Sequence, residues 1–485
     1  MFLGLDLGTS SIKAVLVDEQ QSVVTTASAP LEVSRPAPTH SEQDPTHWWH
    51  ATLSAMDAIA AQAPREMGAV RGIGLSGQMH GATLLDAADR VLRPCILWND
   101  GRSALECDDL EAAWPSLRTV TGNIAMPGFT APKLLWVRKH EPDIFSAIAK
   151  ILLPKAYLRL LLSGEHVEEM SDAAGTLWLD VGRRDWSDDG LTATHLSRRQ
   201  MPRLVEGSAA AGRLRPELAR RWKMAASPII AGGAGDNAAG AVSLGAIRPG
   251  DAFVSLGTSG VLWATTARFA PNPNAAVHAF CHCIPQTWHQ MGVILSAASC
   301  LAWLAEILGQ SEVTLLASMP ERPARPSDIF FLPYLSGERT PHNDPRIRGA
   351  FVGLSHQADR ATMVQSVMEG VAFALRDCLE ALRAAGTQID AADVIGGGAR
   401  SPLWRSILAN VLDLPLSEIV GADVSGAFGA ARLARLAVSG EPPADVCLPP
   451  ERGRTIAPDR DLRDAYAAAY LRYRKLYPAL KEIAS

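Results

Sequence analysis

The sequence predicts an α/β protein of two similar domains with a ligand cleft between them. Three observations carry this reading. Strand-like apolar runs alternate with helical periodicity through both halves of the chain. At 485 residues the chain is longer than one core usually organises. A short motif also recurs about half a chain apart: Leu7-Gly8-Thr9-Ser10 returns as Leu256-Gly257-Thr258-Ser259. Each copy is followed by strand-like sequence, which suggests two related units facing a shared cleft.

The first copy sits in residues 1–18, which read as strand, tight turn, strand. Apolar residues (Phe2, Leu3, Leu5, Leu7, then Ile12, Ala14 and Val15) flank Gly8-Thr9-Ser10-Ser11. Glycine permits the tight turn, and small residues let a ligand approach the backbone. Amides and hydroxyls at such a turn can hold a phosphate. Asp6 at its lip suits a divalent cation held through water, and Lys13 adds a positive charge. An ordinary N-terminal hairpin fits the same residues.

Composition narrows the partners. Hydrophobic content of 47% and charged content of 20% belong to a soluble globular protein. A formal net charge of −5 gives no basic footprint for nucleic acid. The seven cysteines are scattered without a CxxC pair, which points to reduced thiols and a cytoplasmic compartment. Asp6 interrupts the N-terminal apolar run, so no signal peptide is expected, and without a stretch of 18 or more apolar residues no membrane span is expected.

Residues 23–33 continue as strand. Asp44-Pro45 is a helix start, cap then Pro at the first turn, and the helix should reach about residue 63. Residues 69–75 form a buried strand that ends in Ser76-Gly77-Gln78-Met79-His80-Gly81. Polar residues at the end of a buried strand mark a ligand edge. Met79 and His80 could line a polyol pocket, or His80 could be an interior histidine. Strands at 82–86 and 91–97 lead to a second polar cluster, Trp98-Asn99-Asp100. Residues 103–164 read as mostly helical, 171–176 as a small-residue loop, and 182–222 as helix and loop. A strand at 228–231 feeds Gly232-Gly233-Ala234-Gly235-Asp236-Asn237. Asp236 there fits a carboxylate aimed at a ligand, and equally a cap of the small-residue helix at 238–244.

The second motif copy occupies 251–265. Strands follow near 278–283 and 289–295, then a helix at 297–308 and a strand at 329–334 ending in a polar loop. Residues 359–385 carry the longest helical periodicity, stopped by Gly386. Gly396-Gly397-Gly398-Ala399 could lie against a nucleotide or make a tight turn. No Rossmann fingerprint and no Walker loop is present. A helix at 426–438 has small residues on one face, and a closing helix spans 461–483. His278, Cys281, His282 and Cys283 invite a metal, but lack the second ligand pair of a structural zinc site, so packing is expected.

These stretches together resemble the FGGY carbohydrate kinases, whose domains are ribonuclease-H-like units of the actin-like ATPase fold. DLGTSSIK at 6–13 resembles the first phosphate motif. GFTAPKLLWVRKH at 128–140 and GAFVGL at 349–354 resemble the two family signatures. GDN at 235–237, the second GTSG at 257–260 and GGGARS at 396–401 complete the order. SEQDPTHWW, SGQMHGATLLD, RVLRPCILWNDGR, SDAAGTLWLD, SAASCLAW and FLPYLSGERTPHNDP resemble the members that phosphorylate D-xylulose. Glycerol-phosphorylating members typically carry Arg-Glu where this chain has Met79-His80.

The resemblance implies ATP and Mg2+ as cofactors and D-xylulose as the small-molecule substrate, with no nucleic acid or membrane partner. It implies Asp236 as general base and Asp6 as support for Mg2+ through water. Met79, His80, Trp98, Asn99, Asp100 and Asn237 are the expected sugar contacts. Gly8, Thr9, Ser10, Ser11, Lys13, Gly257 and Thr258 are expected around the phosphates, and Gly397, Gly398 and Ala399 near the adenosine. The expected domains are 1–246 for sugar and base and 247–485 for nucleotide. Monomer and homodimer stay open. Rival readings are a sibling kinase acting on ribulose, gluconate or glycerol, a nucleotide-switched actin-like binding protein, and a non-catalytic phosphate binder.

Overall fold

The computed structural model describes residues 1–421 and 425–484. Two seven-stranded sheets organise it. The first is built from β1 (Phe2–Leu7), β2 (Ser11–Val17), β3 (Val23–Pro30), β4 (Gly72–Gly77), β5 (Ala210–Arg213), β6 (Ile229–Ala231) and β7 (Ala234–Gly235). The second holds β8 (Ala252–Leu256), β9 (Gly260–Thr266), β10 (His278–Cys281), β11 (Trp288–Ile294), β12 (Ala392–Ile395), β13 (Leu416–Ile419) and β14 (Arg452–Ile456).

The first sheet runs β5-β6-β4-β1-β2-β3, with β7 beside the end of β4. The second runs β10-β11-β9-β8-β12-β13-β14. Their cores have one topology. In each, the strand before the Gly-Thr-Ser turn pairs antiparallel with the strand after it and parallel with a strand on its other side. The outer pairings match as well, antiparallel beyond the hairpin and parallel, then antiparallel, on the far side. The four-residue echo therefore marks a structural repeat.

Alternation along β1 explains how the first sheet is covered. Odd residues Leu3, Leu5 and Leu7 enter a core with Trp48, Met56 and Ile59 of helix α1 (Pro45–Gln62). Asp44 caps α1 by accepting from the Thr46 amide, with Pro45 in its first turn. Even residues Phe2, Gly4 and Asp6 face the opposite way. There Phe2, Val15 and Val17 pack on Ala427, Ala431 and Ala434.

Those alanines belong to a helix of the far C-terminal sequence, Gly426–Ser439, which returns to the first sheet. It lies so close that a Cβ at Gly4 would overlap the carbonyl of Ala427, and one at Gly74 that of Ala430. The same helix meets the helix Asp236–Ser243, where Gly429 touches the Ala239 carbonyl. Arg432 donates from Nη1 to the Val242 and Ser243 carbonyls at 2.9 and 3.1 Å, capping the end of the Asp236 helix. An expected division at residues 246 and 247 does not anticipate this return.

Several local expectations are corrected. Residues 171–176 are not a loop: Met170–Ala174 is a short helix, because Glu169 accepts from the Ser171 and Asp172 amides as its cap. The stretch 182–222 holds three short strands, Asp185–Trp186, Arg203–Val205 and Ala210–Arg213. The strands expected at 82–86 and 91–97 shrink to Thr83–Leu85 and Cys95–Ile96. The mostly helical region contains the strand Lys150–Leu152. The closing helix is two, Arg460–Tyr473 and Leu476–Ala484. Among the described residues, no helix is long and apolar enough to cross a membrane.

Candidate active site

A cavity of about 250 Å3 lies between the two halves. Met79, His80, Trp98, Phe129, Asp236 and Asn237 of the first half line it, and Ser259, Val261, His278, Phe280 and Arg339 of the second close it. Five of the expected sugar-site and base residues are thereby brought together.

Asp236 is delivered by backbone geometry. The chain leaves β6, turns at Gly233 with φ +76°, and passes through β7. A side chain at Gly233 would overlap the Leu75 carbonyl, so only glycine follows this path. Gly235 is the cap position of the next helix and Asp236 its first residue, so Asp236 is not the cap. Its Oδ1 accepts from the Asn237 amide at 2.7 Å and from Asn237 Nδ2 at 2.9 Å. Oδ2 takes part in neither bond, and the residue lines the cavity. The residue touches the cleft yet is ringed by protein; burial, then the charge of Asp6, push its pKa up to about 7. That value suits a group that takes up a proton near neutrality.

His80 follows Met79 on a left-handed residue, φ +69°. Three groups hold this conformation. Its carbonyl accepts from Thr130 Oγ1 at 3.1 Å and from Lys133 Nζ at 2.8 Å. Its Nδ1 lies 2.6 Å from the Gly175 carbonyl and so carries the proton. A Cβ at Gly175 would stand 2.7 Å from the ring, which explains the glycine in that small-residue stretch. Burial pushes the imidazole down to about 3, so His80 is neutral and offers Nε2 as an acceptor. Met79 packs directly on Gly235, where a Cβ would stand 2.9 Å from its sulfur.

Asp6, on the even face of β1, accepts from Ser76 Oγ at 2.7 Å. Lys13 is its cross-strand partner. Burial raises the Asp6 carboxyl, opposed by the Ser76 hydrogen bond and the Lys13 charge. Gly426 abuts it: a Cβ there would lie 2.6 Å from Ser76 Oγ and 2.9 Å from Asp6 Cγ. A half-buried carboxylate with one oxygen bonded and a flanking Gly-Thr-Ser-Ser turn fits a divalent cation held through water.

Thr9 joins this turn to the cavity. Its hydroxyl accepts from Trp98 Nε1 and donates to Gln78 Oε1, both at 3.0 Å, and its carbonyl accepts from Gln43 Nε2 at 2.7 Å. The Thr9 side chain is thus engaged within the protein, and Ser10 is the exposed residue of the turn. In the second hairpin the Gly257 amide bonds back to the Ser259 carbonyl, and the carbonyls of Gly257 and Thr258 tie the turn to the helix Ala298–Ile307. Gly396 turns with φ +93° against Leu256, which sets Gly397, Gly398 and Ala399 beside that hairpin. Gly397 is open on one side, where an added Cβ would meet nothing.

Two expected sugar contacts do not line the cavity. The Asp100 carboxylate accepts from the Ser41 amide at 2.6 Å and from Arg102 at 2.8 and 2.9 Å, so it braces a loop. Asn99 is exposed and lies outside the lining. The cysteine–histidine cluster is packed: Cys281 Sγ meets the Val181 carbonyl, and His282 Nε2 the Ala246 carbonyl.

Residues that sequence reasoning missed lie behind Asp236. Arg159 donates to the Gly232 carbonyl and, at 2.6 Å, to that of Val167. Glu169 Oε1 and Ser171 Oγ accept from the Gly235 amide at 3.1 and 3.0 Å. Glu168, Glu169 and Asp172 are the one trio of close acidic groups among the described residues, and Lys155 Nζ sits among them at 2.6, 3.7 and 3.4 Å. An ammonium fills the centre of this trio, and Glu169 holds the 232–235 segment through the Gly235 amide.

Two domains of repeated sheet topology, each with a phosphate-type hairpin at a shared cleft, define an actin-like ATPase fold carrying a small-molecule site. Family models for the FGGY carbohydrate kinases match residues 1–243 as the N-terminal domain and 252–438 as the C-terminal domain. The chain belongs to the FGGY family of carbohydrate kinases. It is 51% identical over 482 residues to the xylulose kinase of Escherichia coli K12, covering 99% of both chains. A crystal structure of a Brucella ovis protein described as a xyloylose kinase matches with a TM-score of 0.98 at 56% identity, covering 99% of each chain. A xylulose kinase from Rhodospirillum rubrum matches at 0.92 and 29% identity, over 100% of this chain and 99% of that one.

Proposed function

We propose that this protein transfers the γ-phosphoryl group of ATP to the 5-hydroxyl of D-xylulose, giving D-xylulose 5-phosphate and ADP. The observation that carries the reading is the position of Asp236. Its carboxylate, raised to about 7, opens on a cavity with a neutral His80, Trp98 and Asn237. The cavity is mostly apolar with few polar groups, as sugar-sized sites are. The relatives named for xylulose turnover supply the particular ketose.

In this reading Asp236 Oδ2 takes the proton of the attacking hydroxyl while Asn237 holds Oδ1 still. A positioned base contributes about 10²–10⁴ in rate. His80 Nε2 accepts from a sugar hydroxyl, and Trp98 covers one side of the cavity. Phosphoryl transfer passes through a loose transition state, so in-line placement and charge neutralisation supply most of the catalysis. Asp6, with Lys13 opposite, would hold Mg2+ through water. The ion would neutralise charge on the phosphates. The Gly8 and Gly257 amides close the two turns, so the amides of Thr9, Ser10 and Thr258 would cradle the phosphates from the two sides, and Gly397 to Ala399 would receive the adenosine. We assign residues 1–246 to sugar and base and 247–485 to nucleotide, with Gly426–Ser439 as the link between them. Seven free, buried cysteines suit a reducing cytoplasm.

A coupled ADP-release assay across D-xylulose, D-ribulose, gluconate and glycerol, with and without Mg2+, tests the reading. The expected result is Mg2+-dependent turnover with D-xylulose preferred. Preference for another substrate would reassign the sugar, and ATP hydrolysis indifferent to every sugar would favour a nucleotide-switched binding protein.

A further inference from the structure

One wall of the cavity carries a cation that the proposed chemistry does not use. Arg339 comes from the polar loop after Phe330–Leu332, in the second half of the chain. It lines the cavity. Among the described residues no carboxylate forms an ion pair with it, and burial lowers its pKa.

Its one side-chain hydrogen bond among the described residues can be assigned by following the protons. Asn123 Nδ2 donates to the Thr121 and Ala279 carbonyls at 2.9 and 3.0 Å, so Asn123 Oδ1 is an acceptor. His278 Nδ1, 2.9 Å from that oxygen, must therefore carry the proton. His278 Nε2 is then bare, and it accepts from Arg339 Nη1 at 3.3 Å. This chain of bonds crosses from the first half to the second and sets the guanidinium against the cavity. A guanidinium only donates, and its remaining N–H groups have no protein acceptor among the described residues.

The contacts also order the wall. Met79 packs on Gly235, the residue before Asp236, and His80 follows it. The His80 ring lies 4.7 Å from Phe129, Phe129 lies 5.7 Å from His278, and His278 meets Arg339. Arg339 thus ends a wall that begins at the base. A ketose with its 5-hydroxyl at Asp236 has its carbonyl three carbons away, toward that end. A carbonyl oxygen accepts hydrogen bonds and donates none, which matches a group that donates and accepts none. A sugar alcohol places there a hydroxyl whose proton finds no acceptor, since His278 Nε2 is already occupied.

We propose that Arg339 is a specificity-determining residue that reads the carbonyl end of an open-chain ketose and so selects ketoses over the matching alcohols. The inference rests on the substrate reading above. Sites built to pair a particular polar group discriminate far more strongly than apolar pockets do.

The test compares the unaltered protein with Arg339→Met and Arg339→Lys. Binding of D-xylulose, xylitol and D-arabinitol is read without nucleotide from tryptophan fluorescence, because Trp98 lines the cavity. Turnover of D-xylulose is measured alongside. Arg339→Met should weaken D-xylulose binding by about 10–100-fold, as the loss of a hydrogen bond from a charged donor does. Xylitol and D-arabinitol should change by less than about 3-fold, so the preference collapses. Arg339→Lys, which keeps a donor at less cost to folding, should restore part of it. Equal weakening of ketose and alcohols, or an unchanged preference in both variants, would overturn the role of Arg339 while leaving the substrate reading intact. Failure of the unaltered protein to phosphorylate D-xylulose would overturn both.

Discussion

Asp6 acts on Asp236 within the first sheet, from strands that flank the same central strand: the Asp236 pKa is pushed up to about 7 by burial first and by the negative charge of Asp6 second. A base of that kind must be ionised to work. The acid limb of kcat/KM should therefore fall tenfold per pH unit below about 7. Removing the Asp6 charge with Asp6→Asn favours ionised Asp236, so the residual activity should show that limb at lower pH. A pH profile of both proteins checks the sign.

The same shift costs stability. The folded protein holds a proton on Asp236 that the unfolded chain releases, from the ordinary carboxylate range up to about pH 7. Stability falls as pH rises through that window. Asp236→Asn should thus raise the Tm at pH 8 by roughly 2–4 °C, discounted for the open face of the carboxylate. The gain should vanish near pH 4. Thermal unfolding at the two pH values reads it.

Close contact between helix Gly426–Ser439 and the first sheet leaves no room at Gly4 or Gly74. Either Gly→Ala change should lower stability by about 3 kcal/mol or more, because the obstacle is backbone that cannot swing away. Gly426→Ala should act differently, displacing Ser76 and Asp6 and raising the KM for ATP with little effect on sugar binding. Urea unfolding and steady-state kinetics separate the two outcomes.

Thr9→Val removes the hydroxyl shared by Trp98 and Gln78. Losing about 1 kcal/mol of hydrogen bonding should raise the KM for sugar about 5-fold. The backbone of the turn remains, so the KM for ATP should change less than about 2-fold. Initial-rate kinetics with each substrate varied decide this.

Glu169 and Arg159 hold the 232–235 segment from two ends. Glu169→Gln weakens the bond to the Gly235 amide without changing shape. We expect kcat to drop about 10-fold with sugar binding retained, the mark of a positioning residue whose loss misplaces Asp236. A fall in sugar affinity equal to the fall in kcat would argue for a purely structural role.

Legibility in the sequence followed locality. The hairpins at Gly8 and Gly257, the capped helix at Asp44 and the helix starting at Arg360 rest on turns, caps and periodicity within a few residues. Asp236 was legible from its glycine-rich approach only as one of two equal readings, a ligand carboxylate or a helix cap, and the family resemblance singled it out. The return of Gly426–Ser439 to the first sheet was not visible, since small residues on one face signal close packing without naming the surface. The helix Met170–Ala174 was hidden because a glutamate, an uncommon cap, closes its first turn. Asp100 looked like a ligand until Arg102, two residues on, proved to be its partner. His278 stood out only as a candidate metal ligand and Arg339 only as part of a polar loop, because their shared meaning comes from Asn123, far away in the chain.

The central claim is that Asp236 is the proton acceptor of a ketose kinase. Asp236→Asn preserves its shape and its bond from the Asn237 amide while removing the charge. With MgATP and D-xylulose, phosphorus-31 NMR should show D-xylulose 5-phosphate forming at least about 10²-fold more slowly. Tryptophan fluorescence should show D-xylulose bound within a few-fold of the unaltered protein. Near-normal product formation by Asp236→Asn would contradict the account.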